Sequence, residues 1–126
     1  MPRLSLIHAV DVRVLDQEMR LYRACRGSSD PAQLDSFRSH YELQRPPRGP
    51  EARAAVIHMA VSMFEAREPC WGLIDRTRGR IGDHVAELHL GPHRGICVAK
   101  TGGPFHWSVW GHPEALQAFV SSYVSR

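Results

Sequence analysis

Residues 84–110 read HVAELHLGPHRGICVAKTGGPFHWSVW, and the punctuation in this stretch decides the fold. Three apolar-rich runs, 84–90, 96–100 and 105–110, are strand-length. The breaks between them, GPHRG (91–95) and TGGP (101–104), are turns built on glycine and proline. FHWSVW alternates cleanly and is read as the last strand. Phe105, Trp107 and Val109 share the face of an ordinary core; His106, Ser108 and Trp110 share the other, where two polar groups beside an indole could wall a pocket.

Working outward, LSLIHAVDVRVL (4–15) and EMRLYRACR (18–26) add two strands. In the second, Met19, Leu21, Arg23 and Cys25 lie on one face, so Arg23 is turned toward the core. Arg20, Tyr22, Ala24 and Arg26 take the other face, where water can solvate the arginines. An inward guanidinium is costly unless an acceptor meets it. Its partner is either a carboxylate of the chain, such as Glu87 in an internal ion pair, or a ligand. Between these strands and the 84–110 stretch, GSSDPAQLDSFRSHYEL (27–43) opens on a capping Ser-Ser-Asp-Pro, with Leu34, Phe37 and Tyr41 at helical spacing. QRPPRGP (44–50) is loop. EARAAVIHMAVSMFEARE (51–68) reads as helix turning into strand near His58 to Phe64, and EPCWGLIDRT (68–77) as a short helix or helical turn. RGRIGD (78–83) is loop. HPEALQAFVSSYV (112–124) opens on proline and spaces Leu116, Phe119 and Tyr123 as a closing helix. The expectation is one α+β domain over residues 1–126: a small, mostly antiparallel sheet of about five or six strands with about three helices.

Composition narrows the class. The 126 residues suffice for a single core. With 43% hydrophobic and 23% charged residues the chain is globular rather than disordered. A net charge of +3 does not by itself demand nucleic acid. Three cysteines without a C-x-x-C pair fit reduced thiols better than a disulfide scaffold, and with no secretory or membrane pattern at the start they point to the cytoplasm.

Several residue sets invite chemistry. His84, His89 and His93 with Cys97 resemble a metal cluster, but His84 and His89 point to opposite faces of a strand and the expectation is no metal. Cys70, near a helix start, has no local histidine partner for thiolate chemistry. Arg38, Arg45, Arg48 and Arg53 flank the proline loop, and Arg76, Arg78 and Arg80 cluster in another. With Tyr41, Trp71 and Trp107 as stacking platforms they give an alternative function, a non-enzymatic module binding nucleic acid or protein; it ranks below the reading that follows.

Taken in order, LYRACRG, the strand AVSMFEA carrying Ser62, and HVAELHL carrying Glu87 resemble the Arg–Ser–Glu pattern of ADP-ribosyltransferase-like folds and of the small RES-type NAD-utilising domains. The resemblance implies that Arg23 holds the phosphates of NAD, Ser62 braces the nicotinamide ribose and Glu87 acts on the ribose or the acceptor. Tyr22, His106 and Trp110 would complete the NAD site, by stacking or as a pocket wall. The implied function is cleavage of NAD at the nicotinamide–ribose bond, with ADP-ribose passed to an acceptor or to water. Such an activity is toxic when uncontrolled, which implies an antitoxin-like protein partner.

Overall fold

The computed structural model describes residues 11–27, 33–39, 42–43 and 59–125. These residues form an antiparallel sheet of seven strands: β1 (Arg13–Leu15), β2 (Met19–Cys25), β3 (Val61–Phe64), β4 (His84–Leu90), β5 (His93–Lys100), β6 (His106–Trp110) and β7 (Val120–Ser125). A 3-10 helix (Gln33–Phe37), α1 (Glu68–Arg76) and α2 (Pro113–Ala118) complete the described elements.

The strand order is β1-β5-β6-β3-β2-β4-β7. In it β4 and β5 stand four positions apart, about 19 Å across a flat sheet. Yet only Gly91 and Pro92 join Leu90 to His93, a reach of at most about 11 Å. The sheet must therefore curl, and the curl encloses the core. Leu21, Met63, Leu88, Ile96 and Val109 pack into one buried cluster that draws on both halves of the sheet. Phe37 of the 3-10 helix and Leu116 of α2 close its open side. Each such side chain contributes about 1.5–3 kcal/mol through burial. On the convex side α1 packs Cys70 and Ile74 against Ala24 of β2 and Val85 of β4.

Local chemistry explains both helices. Each has proline in its first turn, where the missing N–H costs nothing, and an acidic residue beside it, Glu68 or Glu114, to meet the positive end of the dipole. After α1 the chain turns through Arg78 (φ 54°), Gly79 (φ 75°) and Gly82 (φ 124°). A Cβ on Gly82 would stand 2.0 Å from the carbonyl oxygen of Cys25, so this glycine lets the turn dock on the end of β2.

The α+β character and the antiparallel sheet agree with the sequence reading; the counts do not. The described residues alone hold seven strands where five or six are expected, together with two α-helices and a 3-10 helix. The helix expected over 112–124 ends at Ala118, and Val120–Ser125 is a strand pairing with β4, so β6 is not the last strand. Val120, Tyr123 and Val124 favour extended backbone, and the open edge of β4 satisfies their peptide groups. The described part of 27–43 winds as a 3-10 helix, and β5 begins at His93, inside the expected turn. Residues 4–10 of the first expected strand and 51–57 of the expected helix lie outside the described residues. No helix among the described residues is long and apolar enough to cross a membrane.

Candidate functional site

Alternation puts Arg23 between Leu21 and Cys25, both buried on the concave side. Among the described residues it meets backbone carbonyls rather than a carboxylate. The guanidinium Nη1 donates to the backbone carbonyl of Ser62 at 2.6 Å, and Nε donates to that of Ser36. The reason lies in the sheet. Strands β2 and β3 share one bridged pair, Tyr22 with Phe64. Beyond it, toward Cys25 and Val61, the described residues pair no further, and the Arg23 side chain spans the fork. Burial pulls the Arg23 pKa down to about 10, still far above neutrality, so the group stays charged.

The fork opens into a cavity of about 510 Å³. Its described wall is built from the end of β2, the start of β3, the 3-10 helix with the residues that follow it to Leu43, and α1 with the turn after it. They bring together Arg23, Arg26, Arg38 and Arg80, with Asp35 as the one carboxylate among the described lining residues. Ser36, Ser39, Ser62 and Thr77 add hydroxyl groups, and Leu43, Leu73 and Ile81 an apolar side. The wall is braced. Arg26 N–H donates to Ser36 Oγ at 2.9 Å, Gln33 Nε2 reaches the Arg26 carbonyl at 3.5 Å, and Gln117 of α2 donates to Gln33 Oε1. Asp35 and Arg38 form an ion pair across one turn of the 3-10 helix.

Of the residues singled out in the sequence, Arg23 and Ser62 meet at this cavity. Glu87 does not. Register pairs Arg23 with Ala86 and Tyr22 with Glu87, so Glu87 projects from the convex face and the expected Arg23–Glu87 pair is not formed. There Glu87 lies 3.3 Å from His89 Nε2, 3.5 Å from Arg67 Nη2 and 4.0 Å from Arg20 Nε. The His89 hydrogen bond, with Arg20 and Arg67 adding to it, holds its pKa below the usual carboxylate range. Tyr22 lies on the same face, with Arg67 over its ring at 5.6 Å. His106 and Trp110 also lie away from the cavity lining. His106 Nδ1 sits 2.8 Å from the Thr101 carbonyl and 3.1 Å from Thr101 Oγ1, which in turn bonds Ser108 Oγ at 2.7 Å. This is a half-buried, hydrogen-bonded histidine, and burial holds its pKa below the ordinary value.

The sequence reading assigned Arg26 to solvent and Arg38 and Arg80 to separate loops. Their convergence has one sequence signal, Gly82, whose φ lets the Arg80 turn close on β2. The histidines weighed as metal ligands have other neighbours: His84 Nδ1 lies 2.7 Å from Asp83, and His93 Nδ1 accepts the Gly95 N–H at 2.9 Å. Among the described residues no group of three or more His, Cys, Asp or Glu side chains is placed to hold a metal ion. Burial pushes the thiols of Cys25 and Cys70 up to about 11 and about 12, so neither is a thiolate nucleophile at neutral pH.

No family model, curated protein or solved structure matches the chain.

Proposed function

We propose that the chain binds a small phosphorylated ligand in the fork between β2 and β3. One observation carries this reading: four arginines line a cavity of about 510 Å³ against a single described carboxylate. That volume lies within the range of small-molecule sites, roughly 300–1,000 Å³. Guanidinium groups suit phosphate because their planar N–H forks match its oxygens. In this reading Arg23, committed to two carbonyls, positions the wall, while Arg38 and Arg80 supply contact and charge. Leu43, Leu73 and Ile81 would cover the less polar part of the ligand.

NAD is the first ligand to test, because its pyrophosphate belongs to this class and the sequence motifs resemble those of NAD-utilising domains. Cleavage of the nicotinamide–ribose bond would need a carboxylate near the developing positive charge. Glu87 faces away from the cavity, which leaves Asp35 to fill that role among the described residues. The proposal is therefore binding, with cleavage as a separate readout. Calorimetric titration of NAD and of pyrophosphate into wild type and Arg80→Gln tests it, with nicotinamide release followed in parallel. Binding that weakens at least about tenfold in the folded variant is expected for loss of a charge-assisted contact. Absence of binding, or equal binding by both proteins, would sink the reading. Tighter binding to single-stranded RNA, falling steeply with salt, would instead favour a nucleic-acid surface on the turn that carries Arg76, Arg78 and Arg80.

A further inference from the structure

The two edges of the sheet, β1 and β7, are built differently. β1 is three residues long, carries an exposed Arg13 and breaks register between Val14 and Leu15. Shortness, a charge and a bulge defend an edge against pairing with another chain. β7 is six residues long and reads VSSYVS, with neither a charge nor a proline. Its one register shift lies near its start, opposite Glu87 and Leu88; from Ser122 to Ser125 it pairs residue for residue with β4.

Alternation fixes which peptide groups β7 turns outward. His89 N–H donates to the Phe119 carbonyl, so His89 directs its peptide groups toward β7. In an antiparallel ladder every second residue of a strand faces the same neighbour, so Glu87 and Val85 do likewise. Their register partners Ser122 and Val124 exchange hydrogen bonds with β4. Tyr123 and Ser125 therefore direct N–H and C=O to the outer side, where no strand among the described residues pairs with β7. The exposed side chains of Ser121, Ser122 and Ser125 leave that side accessible.

We propose that β7 pairs antiparallel with the β7 of a second copy of this chain, about a twofold axis at Val124. In this register Val124 faces the partner's Val124, and Tyr123 exchanges both peptide hydrogen bonds with the partner's Ser125. Three features favour a second copy. Antiparallel pairing of identical strands closes on itself as a symmetric dimer. A strand without charges brings no like charges together. Val124 falls at a non-hydrogen-bonded position, where facing side chains come closest and two β-branched residues make a favourable cross-strand pair. So short a contact is smaller than a standard interface, and the dissociation constant is expected on the order of 10–100 μM.

Sedimentation equilibrium of the full chain from about 1 μM to about 1 mM tests this, with wild type, Ser125→Pro and Val124→Lys. Proline at 125 removes an outward N–H and spares the ladder to β4. Val124→Lys sets two ammonium groups against each other across the axis. Each variant should weaken dimerisation at least about tenfold, and Ser125→Pro should keep the urea midpoint of the dilute wild type. Cysteine substitution reads the register, in a Cys97→Ser background. Val124→Cys should give a disulfide-linked dimer on mild oxidation. Ser122→Cys should not, because its two copies would stand about 13 Å apart, beyond the reach of a disulfide. A wild type that stays monomeric to about 1 mM would overturn the proposal. So would a dimer that both edge variants leave intact, or equal cross-linking through positions 122 and 124.

Discussion

Arg23 and Glu87 belong to paired strands one register step apart, yet they live under different physics. Arg23 enters the concave side, loses part of its water and is held by two backbone carbonyls across the β2–β3 fork. Glu87 leaves the convex side among Arg20, Arg67 and His89, where solvent screens each interaction. One charge is part of the wall. The other decorates a surface. The lesson is that geometry, not the strength of an isolated ion pair, fixes what a charge contributes, and four substitutions probe that difference.

The largest effect is expected at Gly82. Replacing it with alanine forces a Cβ against the Cys25 carbonyl at a backbone angle that only glycine adopts easily. Strain of this kind costs several kcal/mol, at least about 3. Urea unfolding of Gly82→Ala should show that loss, or no folded protein at all. A folded variant within about 1 kcal/mol of wild type would mean the fork does not depend on the turn that carries Arg80.

Arg23→Met comes next. It keeps much of the side-chain volume but leaves the carbonyls of Ser36 and Ser62 without their donor. Unmet buried acceptors cost about 1–3 kcal/mol each. Retained contact with water at the cavity should hold the total near about 3 kcal/mol in urea unfolding. A variant as stable as wild type would show that the fork stands without its bridge, and the contrast with Glu87 would disappear.

How much of this could be read beforehand follows from the same pair of residues. The alternation in MRLYRACR is local, so the inward turn of Arg23 was legible. Likewise Val85, Glu87 and His89 were legible as one face of β4. What alternation cannot supply is register, and a shift of one residue moves a whole set of side chains to the opposite face. Pairing Arg23 with Ala86 rather than with Glu87 is what separates the two charges. The partner of Arg23 was hidden for another reason, since a backbone carbonyl has no sequence signature. Arg26, Arg38 and Arg80 come from three segments, and only tertiary structure joins them. At the end of the chain, Leu116, Phe119 and Tyr123 fit helical spacing, but Leu116 belongs to α2 and Tyr123 to a strand. The two periods coincide over so short a run.

His106 sharpens the comparison from the neutral side. Burial lowers its pKa from the ordinary 6.5, with Arg23 and Lys100 adding to the effect and the Thr101 carbonyl opposing it. Below pH 6.5 the unfolded chain takes up a proton that the folded one resists. Stability is therefore complete above that pH and declines as the pH falls through it toward the lower folded value. His106→Gln, which keeps a hydrogen-bonding group, should flatten this part of the curve of unfolding midpoint against pH. An unchanged slope between pH 7 and 5 would assign the decline to other groups.

The smallest effect belongs to Glu87. Its side chain retains 14% exposure, and its neighbours Arg20, Arg67 and His89 are 61%, 47% and 50% exposed, so water weakens every attraction in the cluster. Glu87→Gln removes the charge but keeps the shape, and its cost at neutral pH should stay under about 1 kcal/mol. The sign with pH is opposite to that of a residue gaining a proton partner. Because the folded pKa is depressed, the contribution of Glu87 is present above the ordinary carboxylate range and disappears as the pH falls through the lower folded value. Wild type and variant should therefore converge in acid, and 1 M salt should narrow their gap at neutral pH as well. A loss as large as that of Arg23→Met, insensitive to salt, would mean that Glu87 is part of a wall rather than a surface, and the division between the two faces of β4 would have to be redrawn.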